Sequence, residues 1–417
     1  MADFDGVSLY PSSMVRLSND LGGYLKGSPK VIQPHQLNRA FLDSVDGYFL
    51  EVEVTKVGIN RAFPILSYID EATGTRNFCN QEMVGRVIAI DKIALEDGET
   101  FQGAEYRLIR GYYFDEGRDP TIGSVMERLF NERLKKKKEG NPIQEVYKLI
   151  MNSGYGRTLL KPIESTSMIA NEAEKENQIS LNFNSIKEIT PLRSGNFLIK
   201  KWKPINDHFN SVHLGVEVLS MSKRIMAEVM CLAEDLGMQI MITDTDSMHI
   251  PEKHLPALRD AFRVKYGREL VGKLLGQFHT DFDIYEPVLN EQGQRIGSGG
   301  KVSASDIYAE ESYFLGKKCY IDRLIGTGAD GQRLVDYHIR MKGVPNASIW
   351  HRANQDFGGD PMLIYKALFE GESIEFDLTC GGDKCSFEFG KNFTVTSRTK
   401  FLRRVRFTGA DLAVTDE

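Results

Sequence analysis

The chain has 417 residues, with 41% hydrophobic and 26% charged positions and a formal net charge of −6. That composition is ordinary for a globular protein, and the length is too great for one core, so two or three subdomains are expected. No stretch approaches the roughly 20 uninterrupted apolar residues of a membrane span, and the opening Met1-Ala2-Asp3-Phe4-Asp5 has no signal-peptide character, so a cytoplasmic chain without membrane contact is expected.

Cys79, Cys231, Cys319, Cys380 and Cys385 are scattered and odd in number, which argues against a disulfide framework. Cys380 and Cys385 have ligand-like spacing, but no second Cys or His pair completes a zinc set, and reduced loop thiols are expected. The acidic balance does not exclude nucleic acid, because net charge averages over a surface and the basic residues are clustered. Lys135-Lys136-Lys137-Lys138 form one cluster, and Arg398, Lys400, Arg403, Arg404 and Arg406 another. A charge run is usually only a solvated face, so neither cluster decides anything alone.

In chain order, the region to about residue 118 reads as strands with turns. Tyr48, Leu50, Val52 and Val54 alternate with Glu51 and Glu53, the period of a half-buried strand. From about 121 to 139 the period becomes helical, through Ile122, Val125, Met126, Leu129, Phe130 and Leu134. Asn141 can cap a second helix, Pro142 suits its first turn, and Ile143, Val146 and Ile150 share one of its sides. An irregular stretch is expected from about 158 to 210. A long amphipathic helix follows through Val218, Met221, Ile225, Val229, Leu232 and Leu236, stopped by Gly237. A short strand over 238–242 and a return strand over 247–250 place Asp244-Thr245-Asp246 on a hairpin turn, and further strands are expected around 312–323 and 334–344.

Three segments carry chemistry. Asp5 stands at the end of a short strand before Ser8-Leu9-Tyr10-Pro11-Ser12, which alone would be a capped strand end. Asp244 and Asp246, two apart in a tight turn, can project to one side; they repel unless a cation neutralises them, and Mg²⁺ favours such hard oxygen ligands. An Asp-rich turn also uses its carboxylates for its own hydrogen bonds. Lys148, Asn152 and Tyr155 stand at i, i+4 and i+7, one above another on a helix face that would suit a triphosphate and its sugar. Arg133 and Lys137, four apart on the preceding helix, add two cations.

Together and in order, these segments resemble the signature motifs of family B DNA polymerases. Asp5 to Ser12 is similar to the D-x-x-S-L-Y-P-S palm motif, Lys148 to Gly156 to the fingers motif K-x-x-x-N-S-x-Y-G, and Asp244 to Ser247 to the D-T-D-S palm motif. Lys317-Lys318-Cys319-Tyr320 resembles a K-K-x-Y segment, Gly276-Gln277-Phe278 a short G-[KR]-[FW] segment, and Arg340-Met341-Lys342-Gly343 a K-x-K-G stretch. The resemblance implies an α+β right-hand polymerase with an antiparallel palm sheet, a two-helix fingers hairpin and a C-terminal thumb. Its segments would be palm over 1–118 with room for an insertion, fingers over 119–156, palm over 157–324 with an insertion at about 158–210, and thumb over 325–417.

The resemblance also implies roles. Asp5, Asp246 and the Gly6 carbonyl would hold two Mg²⁺ ions, replaceable by Mn²⁺, with Asp244 a supporting acid. Lys148, Arg133 and Lys137 would neutralise the phosphates, Asn152 would orient the triphosphate, and Ser8 and Leu9 would line the nucleotide site. Tyr10 would lie under the deoxyribose and exclude a 2′-hydroxyl. Tyr155 and Gly156 would pack on the nascent pair and template base, and Lys318, Tyr320, Arg340 and Lys342 would hold the DNA. The anchor Ser8-Leu9-Tyr10-Pro11-Ser12 selects Asp5 rather than Asp3, which is expected on the opposite phase of the strand.

Family members carry an N-terminal domain and a 3′–5′ exonuclease before the palm, and here the first palm motif begins at Asp5. The expectation is therefore synthesis without proofreading in this chain, with a separate exonuclease or N-terminal subunit as partner beside primer-template DNA and deoxynucleotides. The long connection from Lys148 to Asp244 is where protein-primed phage and plasmid polymerases carry an insertion, so a terminal-protein primer and an ordinary nucleic-acid primer both stay open. A reverse transcriptase or RNA polymerase would not combine Lys148-x-x-x-Asn152-Ser153 with Ser8-Leu9-Tyr10-Pro11. A non-catalytic scaffold and a two-metal nuclease are the remaining alternatives.

Overall fold

The alternation at Tyr48–Val54 becomes, in the computed structural model, the strand Gly47–Lys56, with Tyr48, Leu50, Val52 and Val54 all buried. It lies within an antiparallel four-stranded sheet ordered Lys30–Val31, Glu105–Phe114, Gly47–Lys56, Val87–Asp91. The structure describes residues 1–193, 195–205, 210–381, 386–388, 394–396 and 399–403. Cys385 and the cationic Arg398, Arg404 and Arg406 lie outside them. The chain forms two compact units, Ser8–Glu228 and Met1–Val7 with Val229–Glu417, each mixing helices with antiparallel sheets. Among the described residues, no helix is long and apolar enough to cross a membrane.

In the unit Ser8–Glu228, helix Leu9–Leu21 packs with the helical hairpin Thr121–Lys138 and Ile143–Thr158. Small residues set the approach: a Cβ on Gly123 would lie 2.0 Å from Ser18 Oγ, and one on Gly154 would lie 3.0 Å from Met126 Cε. Asn141 caps the second hairpin helix, its side chain accepting the Ile143 N–H at 3.0 Å.

The structure corrects three expectations here. The region before residue 118 is not only strands, since Leu9, Met14 and Leu17 bury one side of Leu9–Leu21 and Asp91 caps a helix at Lys92–Gln102. On Ile143–Thr158 the packing stripe is Gln144, Tyr147, Met151 and Gly154, whereas Ile143, Val146 and Ile150 are exposed. The stretch expected to be irregular holds an antiparallel sheet of Ser165–Ala170, Phe197–Trp202 and Ile186–Pro191 with helix Glu172–Asn182. Its helix starts at a reciprocal capping box between Asn171 and Glu174, which satisfies backbone N–H groups at the first turn of this polar sequence.

In the other unit, strands Ala304–Gly316, Cys319–Gly328 and Arg333–Met341 form one antiparallel sheet, covered by helices Asn346–Asp356 and Pro361–Glu370. Ile321, Ile339, Trp350, Tyr365 and Phe376 fill that core. Residue 325, the expected start of a thumb, falls inside the strand Cys319–Gly328. The span 312–323 is not one strand but crosses a turn at Lys317-Lys318, where Lys318 takes a left-handed φ of 58°. The expected strand over 238–242 is instead Ile242–Asp244, although the Met241 N–H still donates to His249 O at 2.9 Å.

Within Ser8–Glu228, Arg118 Nη2 meets Glu217 Oε1 at 2.9 Å, and both side chains are buried. Burial raises the Glu217 carboxyl to about 7 even beside that cation. Removing one partner strands the other charge. Arg118→Ala should cost about 3–5 kcal/mol in chemical denaturation, while Arg118→Met with Glu217→Leu should recover most of it. A loss of under about 1 kcal/mol for Arg118→Ala would show that the pair is not a structural tie.

Candidate active site

Strand Ala2–Gly6 lies between Ser247–Ile250 and Phe278–His279, and Ile242–Asp244 completes the antiparallel sheet. The register sets Asp5 opposite Ser247 on one side and His279 on the other, while Asp244 also pairs with Ser247. Thr245 and Asp246 make the two-residue turn, with Thr245 at φ 63°, a left-handed conformation such hairpins require. The Gly6 N–H donates to Asp246 O at 2.8 Å, so the turn is tied to the end of the first strand. The sheet thereby gathers Asp5, Asp244 and Asp246 around a pocket of about 140 Å³.

Asp281 lines the same pocket and was not singled out by sequence reasoning. It lies three residues past the matched segment Gly276-Gln277-Phe278. Asp3 lines the pocket too, which corrects the expectation of opposite phase, because a two-residue step along a strand returns to the same face. Asp3 is buried, and its Oδ2 accepts the Asp281 N–H at 2.9 Å. Its other side is walled by His249, whose Nδ1 lies 3.8 Å from Asp3 Oδ1 and whose Nε2 lies 3.6 Å from Asp322 Oδ2. His338 Nδ1 reaches Asp322 Oδ2 at 3.1 Å. Burial pushes the Asp322 carboxyl up, but the two imidazoles outweigh it and hold the group below the usual range.

The cations expected to hold DNA divide. Lys318 Nζ lies 3.3 Å from Asp244 Oδ1, and Lys318, Tyr320 and Arg340 all line the pocket. Burial raises the Tyr320 phenol, which keeps it a hydrogen-bond donor. Lys342 does not line the pocket; its backbone N–H donates to Lys318 O at 2.9 Å and its side chain is exposed.

The other expected site residues belong to the unit Ser8–Glu228. There the rings of Tyr10 and Tyr155 stack, 4.1 Å between centroids and 11° from parallel. Ser8 precedes the helix at φ 48° and accepts from Arg133 Nη1 at 3.3 Å. Arg133 Nε is buried without a hydrogen-bond partner, an orphan donor in a group that suits phosphate. Leu9 is buried, whereas Lys137, Lys148, Asn152 and Gly156 are exposed.

Electrostatics show what the pocket needs. Burial first, then Asp281 and Asp246, push the Asp5 carboxyl up to about 8 from 3.8. Burial, with Asp281 and Asp244, also raises Asp246. An acid whose folded pKa exceeds its unfolded value binds more protons when folded, so without a cation its contribution to stability falls from about pH 4 to about pH 8. In EDTA, the melting temperature of Asp5→Asn relative to wild type should therefore rise by several degrees from pH 5 to pH 8. Mg²⁺ should close that gap. A difference independent of both pH and Mg²⁺ would remove the carboxylate repulsion from the account.

Residues 2–264 match the family DNA polymerase type B, organellar and viral. A probable DNA polymerase of Ascobolus immersus is 25% identical over 287 residues, covering 66% of this chain and 22% of the relative. One from Neurospora intermedia is 33% identical over 224 residues, covering 52% and 21%. A DNA polymerase of Acidianus bottle-shaped virus (isolate Italy/Pozzuoli) is 58% identical over 56 residues, covering 13% and 9%. The chain thus spans about a fifth or less of the length of these relatives. In fold it resembles Phi29 DNA polymerase in its orthorhombic crystal form, with a TM-score of 0.50 and 13% identity over 82% of this chain and 51% of that one. With a family match that runs through Asp5, Lys148 and Asp246, the chain belongs to the organellar and viral type B DNA polymerases.

Proposed function

We propose that this chain carries out template-directed DNA synthesis, joining a deoxynucleotide to a primer 3′-hydroxyl with release of pyrophosphate. The observation that carries the reading is the pocket where Asp5, Asp246, Asp244 and Asp281 converge beside Lys318 and Arg340. Its donor set is all-oxygen and mutually repelling, with Asp5 held at about 8, which fits divalent cations such as Mg²⁺ or Mn²⁺. When bound, such ions supply a more acidic 3′-hydroxyl and charge neutralisation at the leaving phosphate. Asp5 and Asp246 hold them, with the Gly6 carbonyl as a further ligand, and Asp244 is oriented by Lys318. Tyr320, Lys318 and Arg340 hold the primer end, and exposed Lys342 serves the DNA backbone.

In the same reading the helical hairpin is the fingers. Lys148, Lys137 and Arg133 meet the triphosphate, Asn152 orients it, and Ser8 and Leu9 fix the start of the helix that presents Tyr10. Stacked on Tyr155, Tyr10 is held as a flat wall that excludes a ribose 2′-hydroxyl, while Tyr155 and Gly156 pack on the nascent pair. The sheet and helix at 165–202 are the insertion, and the helices after residue 346 begin the thumb. Primer-template DNA, deoxynucleotides and either a terminal protein or a nucleic-acid primer are the partners.

Asp5→Ala and Asp246→Ala should each abolish extension of a labelled primer and leave its binding largely intact; activity within about tenfold of wild type would refute the assignment. The same assay with a mismatched primer and no nucleotides separates synthesis from a two-metal nuclease, since shortening would favour the latter. Tyr10→Val should lower discrimination against ribonucleotides on the order of a hundredfold. If both substrates weaken equally, Tyr10 only packs the helix.

A further inference from the structure

His279 is the direct cross-strand partner of Asp5, and neither composition nor the polymerase motifs give it a task. Its Nδ1 lies 3.2 Å from the Asp5 carbonyl oxygen, and its Nε2 lies 3.7 Å from Asp281 Oδ1. A carbonyl oxygen can only accept, so Nδ1 carries the proton of that bond, and the neutral ring then has its lone pair on Nε2. That lone pair faces the pocket's least expected acid. Ligand atoms of Asp5, His279 and Asp281 all lie within 4.8 Å of one another.

An ion pair between a protonated His279 and Asp281 explains this geometry poorly. At 3.7 Å, with the two side chains 42% and 46% exposed, it lacks a hydrogen bond and is open to water. An imidazole that donates one N–H to a backbone carbonyl and turns its other nitrogen to carboxylates is instead how metal-ligating histidines are oriented. Asp281 lies two residues past the strand Phe278–His279, its backbone N–H fixed to buried Asp3 of the sheet.

We propose that His279 Nε2 and Asp281, sharing Asp5, form a divalent-cation position with a nitrogen donor, selective for Mn²⁺ over Mg²⁺. Mg²⁺ prefers oxygen and sheds water reluctantly, whereas a first-row ion such as Mn²⁺ takes carboxylates and accepts an imidazole more readily than Mg²⁺ does, and the half-exposed side chains leave room for its waters. The position deepens the proposed polymerase site, resting on that reading only in treating Asp5 as a metal ligand. It makes Mn²⁺ a regulator of that site, because an ion here neutralises Asp281 and Asp5 together.

The test is Mn²⁺ binding to the whole chain without DNA or nucleotide, followed by electron paramagnetic resonance. Electron spin-echo modulation should show a directly coordinated ¹⁴N in wild type. His279→Ala and His279→Gln should lose it and bind Mn²⁺ about tenfold or more weakly, with unchanged circular dichroism and little change in Mg²⁺ affinity. Asp246→Asn should keep the nitrogen signal. No ¹⁴N coupling in wild type, or coupling that survives in both His279 variants, overturns the proposal. Failure of the polymerase reading would look different: no primer extension with either metal, whatever the nitrogen signal.

Discussion

The repulsion among carboxylates in one small pocket is the constraint on which this fold turns. Asp3, Asp5, Asp244, Asp246 and Asp281 all line it, five carboxylates from three sequence regions; antiparallel pairing sets the register of the first two regions, and a hydrogen bond to Asp3 brings in Asp281. Like charges so close do not all ionise without compensation. The protein supplies part of it: Lys318 stands by Asp244, Arg340 lowers Asp5, and the Asp281 N–H donates to one oxygen of Asp3. The remainder stays on Asp3, Asp5 and Asp246 as raised proton affinity, part of which a bound cation would replace.

Behind the pocket lies a second polar arrangement, in which neither His249 ring nitrogen has a hydrogen-bond partner. His249 is enclosed by Phe282, Phe314 and Tyr320 and lies between Asp3 and Asp322. Asp322 is held by Ser312 Oγ at 2.6 Å as well as by His338. Buried polar groups of this kind are costly when half satisfied and rigid when complete. They join the sheet carrying Asp5 to the sheet carrying Lys318 and Tyr320, within the same unit.

Much of the site was legible because its residues are fixed by chemistry at short spacing. Asp244-Thr245-Asp246 needs only a hairpin to converge, whereas the stacking of Tyr10 on Tyr155 was not foreseen, because the helix Leu9–Leu21 was not expected. Asp281 and His279 were not read, because cross-strand neighbours far apart in sequence leave no local period. Asp3 was misplaced through a phase error that the strand geometry corrects. On Ile143–Thr158 the most hydrophobic side, Ile143, Val146 and Ile150, is exposed, while close helix packing uses Met151 and a glycine. The sheet at 165–202 was hidden since its strands are largely exposed and lack a buried alternation.

If a divalent cation resolves the repulsion in this pocket, its binding must release protons. With Asp5 at about 8, a large share of that carboxyl is protonated at pH 7 and must lose its proton when the cation binds. Mg²⁺ titration by calorimetry at pH 7, repeated in buffers of different ionisation enthalpy, should show close to one proton released per binding event in wild type and far less in Asp5→Asn. Mg²⁺ binding at full stoichiometry with no proton release from wild type would contradict the account.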